Sequence, residues 1–339
     1  MTDVQPEQLS PGAVQGPVLT LPARIRAHVL LAKPRIIELL LATAVPTAFL
    51  AAEGLPSLRV TAAIILGGAL AAGAASTFNS VYDRDIDAHM ARTRRRPAVS
   101  GEVSVRAGLI QGALMSAASF GVLLLLANLV AALLALLAIL MYSVGYTILL
   151  KRRTAQNIVW GGAAGCMPVL IAWAAVTGSL TWTPVLLFLI VFFWTPPHYW
   201  PLAIRYREDY AAAGVPMLPV VRPVAHTCTQ TIIYASLTVA TSLLLIPIAD
   251  MGLVYTVSAC VLGAAFLMLV VLLRRAASPS ALGTQSALGT QSALGTQSAS
   301  DTTSAPDAAA LERAAMRVFH GSITYLALLF LAVALDPFL

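Results

Sequence analysis

The chain is 339 residues long, 58% apolar and only 11% charged, where an ordinary soluble domain carries roughly a quarter of charged residues. That leaves too little polar surface to cover a soluble globule, so the expected class is an all-α membrane protein. The net charge is +6, and the three cysteines, Cys166, Cys228 and Cys260, are far apart and form no C-x-x-C pair, which excludes a disulfide scaffold and a thiolate metal centre.

In chain order, residues 1–23 read as a flexible polar tail containing Pro and Gly, and residues 24–339 as one membrane domain. Within the domain, apolar runs of about 20 residues mark nine spans. They fall at residues 36–52, 60–81, 107–127, 129–150, 157–176, 184–202, 231–248, 253–273 and 318–335. The first run lacks a small-residue cleavage site and reads as a retained helix. Of the 21 lysines and arginines, all but Arg59 fall on one face of this nine-span arrangement. The bias of basic residues towards inner loops makes that face cytoplasmic, with the N-terminus inside, the C-terminus outside and the chain in the cell inner (cytoplasmic) membrane. Between the last two spans, residues 276–310 read as a low-complexity cytoplasmic loop, with Ser-Ala-Leu-Gly-Thr-Gln repeated over 280–297.

Charge is costly inside a membrane, so its placement is informative. Three aspartates crowd the cytoplasmic end of the second span, in Asn79-Ser-Val-Tyr-Asp83-Arg-Asp85-Ile-Asp87. On a helix, residues four apart are offset by only about 40°, so Asn79, Asp83 and Asp87 form one stripe, while Asp85 points away and is expected to pair with an arginine. Such a stripe offers the hard oxygen ligands that Mg²⁺ accepts together with substrate phosphates, although a solvated helix end would also carry charges. The run Arg92-Thr-Arg-Arg-Arg96 follows, and guanidiniums beside metal-spaced carboxylates make two halves of a diphosphate site. A second polar cluster follows the sixth span: Trp194-Thr-Pro-Pro-His198, then Arg205, Glu208, Asp209 and Ala213-Gly-Val-Pro-Met-Leu-Pro219. Paired prolines are expected to break the helix at His198, which is either a structural histidine or a substrate contact. Arg205 and Asp209, one turn apart, read most simply as an ion pair. Tyr146, Lys151, Gln156 and Asn157 lie between the two clusters, and Gly161, Gly162 and Gly165 suit close helix packing.

These motifs together resemble the UbiA-type intramembrane prenyltransferases, and more narrowly their heme O synthase branch. The resembling stretches are Lys33-Pro-Arg-Ile-Ile-Glu38, the Asn79/Asp83/Asp87 motif with Arg92-Thr93, Tyr146-Thr147 with Leu150-Lys-Arg-Arg-Thr154, Trp194-Thr-Pro-Pro-His198 and Asp209 through Val221. The likeness runs from about Lys33 to Leu335, the repeat insertion excepted. The aspartate motif is shared by the whole superfamily, whereas the two Pro-containing motifs are specific to the heme branch. The resemblance implies a nine-helix bundle around a central cavity open to the cytoplasmic side. It implies farnesyl transfer from farnesyl diphosphate to a vinyl group of heme B, with addition of water, to give heme O. It further implies Mg²⁺ as cofactor, with Asn79, Asp83 and Asp87 holding metal and diphosphate and Asp209, with Glu208, forming a second acidic site. Arg92, Arg96, Lys151 and Arg205 would bind phosphate oxygens, and His198, Tyr146 and Asn157 would contact substrate. The lipid bilayer and heme A synthase follow as partners, and no nucleic acid is expected.

Two positions depart from the branch pattern. Ala213 stands four residues after Asp209, so a symmetrical second metal cage is not expected, and Arg222-Pro223 stands where a glycine is usual. Within the same enzyme class, a quinone-precursor aromatic or a chlorophyllide is the alternative acceptor. Broken helices and buried polar groups also mark secondary transporters, but no inverted repeat is evident and the acids lie at helix ends.

Overall fold

A computed structural model of the chain describes residues 20–277 and 305–339. Most of the tail expected at 1–23, and the Ser-Ala-Leu-Gly-Thr-Gln repeats, lie outside those residues. Every regular element described is helical: α1 (Leu21–Leu31), α2 (Pro34–Ala51), α3 (Leu58–Tyr82), α4 (Arg84–His89), α5 (Val105–Leu126), α6 (Leu129–Leu150), α7 (Asn157–Thr177), α8 (Trp182–Arg205), α9 (Arg207–Ala212), α10 (Leu218–Val221), α11 (Val224–Ile248), α12 (Leu253–Ala276) and α13 (Ala305–Leu335). Among the described residues, nine of these helices (α2, α3, α5, α6, α7, α8, α11, α12 and α13) are long and apolar enough to cross a membrane. These are the nine spans read from the sequence.

The boundaries differ where local chemistry extends a helix beyond its apolar run. Pro223 stands just before α11, which therefore starts at Val224, ahead of residue 231. The Ala-rich stretch from Ala305 carries α13 back into the segment read as a loop. Pro22 in the first turn of α1 starts a helix over residues assigned to the tail and to basic flanks. A further difference lies at Pro196, Pro197 and Pro201. Each removes a backbone donor, yet α8 runs unbroken from Trp182 to Arg205. His198 is thus held on a continuous helix and not at a break.

Large apolar side chains such as Leu114, Leu125, Val261 and Met268 are exposed, as expected for surfaces that face acyl chains. The two largest of four apolar clusters in the interior are built on α2, α3, α5, α6 and α7 and on α7, α8, α11, α12 and α13. α7 and α8 are the most buried spans and pack on one another, and α13 packs back on α2 to close the bundle. Where α3 meets α5, small residues permit contact: a Cβ on Gly112 would sit 2.6 Å from the Phe78 ring. Asn128 couples two helices at the opposite end from the aspartates. Its Oδ1 accepts from the Ala131 N–H at 3.0 Å, capping α6, and its Nδ2 donates to the Ala174 carbonyl at the end of α7, at 2.7 Å.

Candidate active site

α3 ends at Tyr82 and α4 begins at Arg84, with Asp83 at the joint. The backbone nevertheless keeps its four-residue register across it: the Asp83 N–H donates to the Asn79 carbonyl at 2.9 Å and the Asp87 N–H to the Asp83 carbonyl at 2.8 Å. Asn79, Asp83 and Asp87 therefore stay one turn apart on one side and are all buried, while Asp85 is turned outward. Thr93, also buried, donates to the Asp87 carbonyl at 2.9 Å and so ties the arginine-rich turn to α4.

Four cations face these carboxylates. Lys151 contacts Asp83 Oδ2 at 2.5 Å and Arg96 contacts Asp87 Oδ2 at 2.6 Å. Arg152 grips Asp85 with both terminal nitrogens at 2.7 Å and lies 3.7 Å from Asp83 Oδ1. This is the arginine partner expected for Asp85, and its bonds hold that carboxyl at about 2. Lys33 donates to Asn79 Oδ1 at 2.6 Å. Burial, then the nearby Arg96 and Lys151 charges, bring its ammonium down to about 7. Asn79 in turn donates to Asp83 Oδ2 at 2.6 Å and to Thr147 Oγ1 at 3.1 Å. One carboxylate oxygen, Asp83 Oδ1, is buried without a hydrogen bond.

Two of these partners, Lys33 and Thr147, were not among the sites expected from the sequence. Lys33 sits in the left-handed region at φ 55°, between α1 and α2, a conformation rare for a residue with a side chain. In the sequence it stands out only as the first residue of the Lys33–Glu38 stretch that shares in the family resemblance, ahead of the proline that opens α2. Thr147 lies in a ten-residue π-helical end of α6, Met141–Leu150. There the Thr147 hydroxyl donates to the Tyr142 carbonyl five residues back, at 2.8 Å, and the Lys151 N–H to the Tyr146 carbonyl at 2.9 Å. This wider register brings Thr147 onto Asn79, and such π segments recur at functional sites.

The second acidic cluster is held differently. Glu208 is exposed and Asp209 partly so, on the short α9. Arg205 pairs with Glu312 of α13 at 3.0 Å, not with Asp209 as the one-turn spacing suggested. The Arg92 guanidinium lies 5.8 Å from the centre of the Tyr206 ring, at the start of α9. Tyr210 is shifted upward by burial. Among the described residues, no three His, Cys, Asp or Glu side chains converge as a metal cluster, so Asp209 and Glu208 do not join Asp83 and Asp87 in one cage. Asn157 opens α7 and donates to the Thr154 carbonyl at 2.8 Å, leaving its buried Oδ1 unbonded.

An apolar cavity of about 240 Å³ lies between α2, α3, α6, α7, α8 and α13. Its wall follows α3 from Ile64 to Ser76, about 18 Å at the helical rise. Ser76 is within one turn of Asn79, so the cavity reaches the aspartate stripe. Tyr142, Tyr146, Tyr199 and His198 also line it. Gly161 admits the Tyr146 ring, because a Cβ there would lie 2.1 Å from Tyr146 Cδ2.

The described residues thus form a nine-span helical bundle with a buried, cation-bound Asn/Asp stripe at the end of an apolar cavity. A digeranylgeranylglyceryl phosphate synthase of known structure superposes with a TM-score of 0.70 at 14% identity, covering 93% of this chain and 98% of that one. A UbiA homolog from Archaeoglobus fulgidus, solved bound to GPP and Mg²⁺, gives 0.55 at 16% identity, covering 88% and 99%. Residues 40–285 match the model of the UbiA prenyltransferase family, and the chain belongs to that family. Among its relatives are proteins named protoheme IX farnesyltransferase. That of Kineococcus radiotolerans is 50% identical over 93% of this chain and 88% of its own length, and that of Leifsonia xyli subsp. xyli 49% identical over 93% of each.

Proposed function

We propose that this chain transfers a farnesyl group from farnesyl diphosphate to a vinyl group of heme B and adds water, giving heme O. The observation that carries the reading is the meeting, within one helical turn, of a buried acid stripe bound by cations and a long apolar cavity. Relatives at half identity over nearly their whole length bear the corresponding name.

The donor chemistry suits Mg²⁺: Asp83 keeps a buried oxygen without a hydrogen bond, one helical turn from Asn79 and from Asp87, both buried. Asn79, Asp83 and Asp87 would hold the ion, with Asp209 and Glu208 as the second acidic site. When bound, Mg²⁺ supplies charge stabilisation to the departing diphosphate. Lys151 and Arg96, which here neutralise Asp83 and Asp87, would turn to phosphate oxygens once that charge is supplied, joined by Lys33, Arg92 and Arg205. The allylic C–O bond breaks with its electron pair leaving on diphosphate. The apolar walls beside Tyr146 and Tyr142 keep water from the farnesyl cation until the vinyl carbon attacks it. The porphyrin-stabilised cation then takes a water oxygen, and one proton leaves. We place the protein in the cytoplasmic membrane with its N-terminus and the cavity mouth on the cytoplasmic side, in keeping with the basic residues gathered at the aspartate end. Heme A synthase is the partner that would take the product.

The test is a transfer assay on membranes containing the full chain, with heme B, farnesyl diphosphate and Mg²⁺. The expected product is heavier than heme B by one farnesyl group and one hydroxyl group. Unchanged heme B, with transfer to an added aromatic acceptor, would assign a different acceptor.

A further inference from the structure

His198 of α8 meets α13 in the interior of the bundle. It is buried in the wall of the cavity, with only 6% of its surface exposed. Its ring is clamped between Trp194 (centroids 4.3 Å apart, planes 14°) and Phe319 (4.7 Å, 22°), so the ring plane is fixed. Its Nδ1 lies 2.8 Å from Ser322 Oγ. That hydroxyl donates its own hydrogen to the Phe319 carbonyl at 2.7 Å, so it can only accept from the imidazole. Nδ1 therefore carries the proton, and Nε2 is left with a lone pair that no described residue engages. The Ser322 carbonyl is itself fixed by Trp194 Nε1 at 2.8 Å, which locks α13 to α8 at this point.

This is the arrangement by which proteins orient a metal-bound histidine, with the far nitrogen donating into a fixed acceptor and the near one bare. A general base would gain a positive charge on taking a proton, and among the described residues no carboxylate contacts the ring to offset it. A ligand stays neutral. We propose that His198 Nε2 is the axial ligand of the porphyrin iron, fixing the macrocycle so that one vinyl group faces the farnesyl donor. This inference rests on the heme reading above.

The experiment uses the full-length chain in lipid nanodiscs with added heme B, reduced and read by resonance Raman and Soret absorption. Wild type is expected to show an iron–histidine stretch. His198→Ala should bind heme without it and recover an iron–nitrogen band on adding imidazole. Ser322→Ala keeps the ligand but removes the acceptor for Nδ1–H, so the stretch should shift in frequency, which a purely structural role for Ser322 would not produce. An unchanged iron–histidine band in heme-loaded His198→Ala would overturn the assignment, as would wild-type heme bound without such a band, while the farnesyl-transfer reading would stand. Wild type that binds no heme at all would remove both.

Discussion

Lysine 151 tests the electrostatic design of the aspartate stripe. Asp83 is fully buried, and Lys151, only 15% exposed at its side chain, gives it its shortest contact. Replacing one partner of a buried ion pair costs roughly 3–5 kcal/mol because the other charge is stranded. Here Asp83 would keep the Asn79 amide at 2.6 Å and Arg152 at 3.7 Å. Lys151→Met should therefore fall below that range, at about 2 kcal/mol of lost stability without metal. Asp83→Asn strands the lysine in turn, and the double variant should recover much of both losses, giving a coupling energy of about 1–2 kcal/mol. The measurement is reversible unfolding of the four proteins in mixed micelles, titrated with sodium dodecyl sulfate and followed by helical circular dichroism. Saturating Mg²⁺ should narrow the gap between wild type and Lys151→Met, because the ion offers Asp83 another counter-charge. Two single losses that simply add, with coupling under about 0.3 kcal/mol, would show that Lys151 is a loop charge and not a partner of Asp83.

Other outcomes follow from the same contacts. Alanine at Asp83 or Asp87 should abolish heme O formation while the protein remains folded in the membrane; full activity in either would remove the metal-site assignment. Mg²⁺ at a hundred times its dissociation constant should stabilise wild type by about 2.7 kcal/mol and Asp87→Asn by much less, read from unfolding midpoints. Gly161→Ala places a methyl 2.1 Å from the Tyr146 ring and should push that ring into the cavity. Transfer should fall severalfold, whereas Gly121→Ala, which meets nothing within 4 Å, should be silent in the same assay. Asn128→Ala loses the cap of α6 and its bond to α7 and should cost about 1–2 kcal/mol in the unfolding titration, with turnover per folded molecule unchanged.

What the sequence made legible is what depends on short spacing. Asn79, Asp83 and Asp87 could be grouped, and Asp85 separated from them, because four-residue register survives the joint at Asp83. The nine spans were equally readable, since membrane thickness sets their length. What stayed hidden depends on irregular backbone or distant packing. Lys33 reaches Asn79 only from a left-handed turn, and Thr147 reaches it only because α6 ends in π register; neither conformation has a local signature. Prolines in α8 read as a break, but α8 continues through them, buried among the other spans from Trp194 to His198. The same limit explains Lys151, Arg152 and Arg153, three adjacent cations that charge counting treats alike. Lys151 faces Asp83, Arg152 grips Asp85 and Arg153 is exposed. Basic residues bias how a chain sits in a bilayer, and here Lys151 and Arg152 also hold the carboxylates of Asp83 and Asp85. A sequence states the sum of those two roles, and only the fold divides it residue by residue.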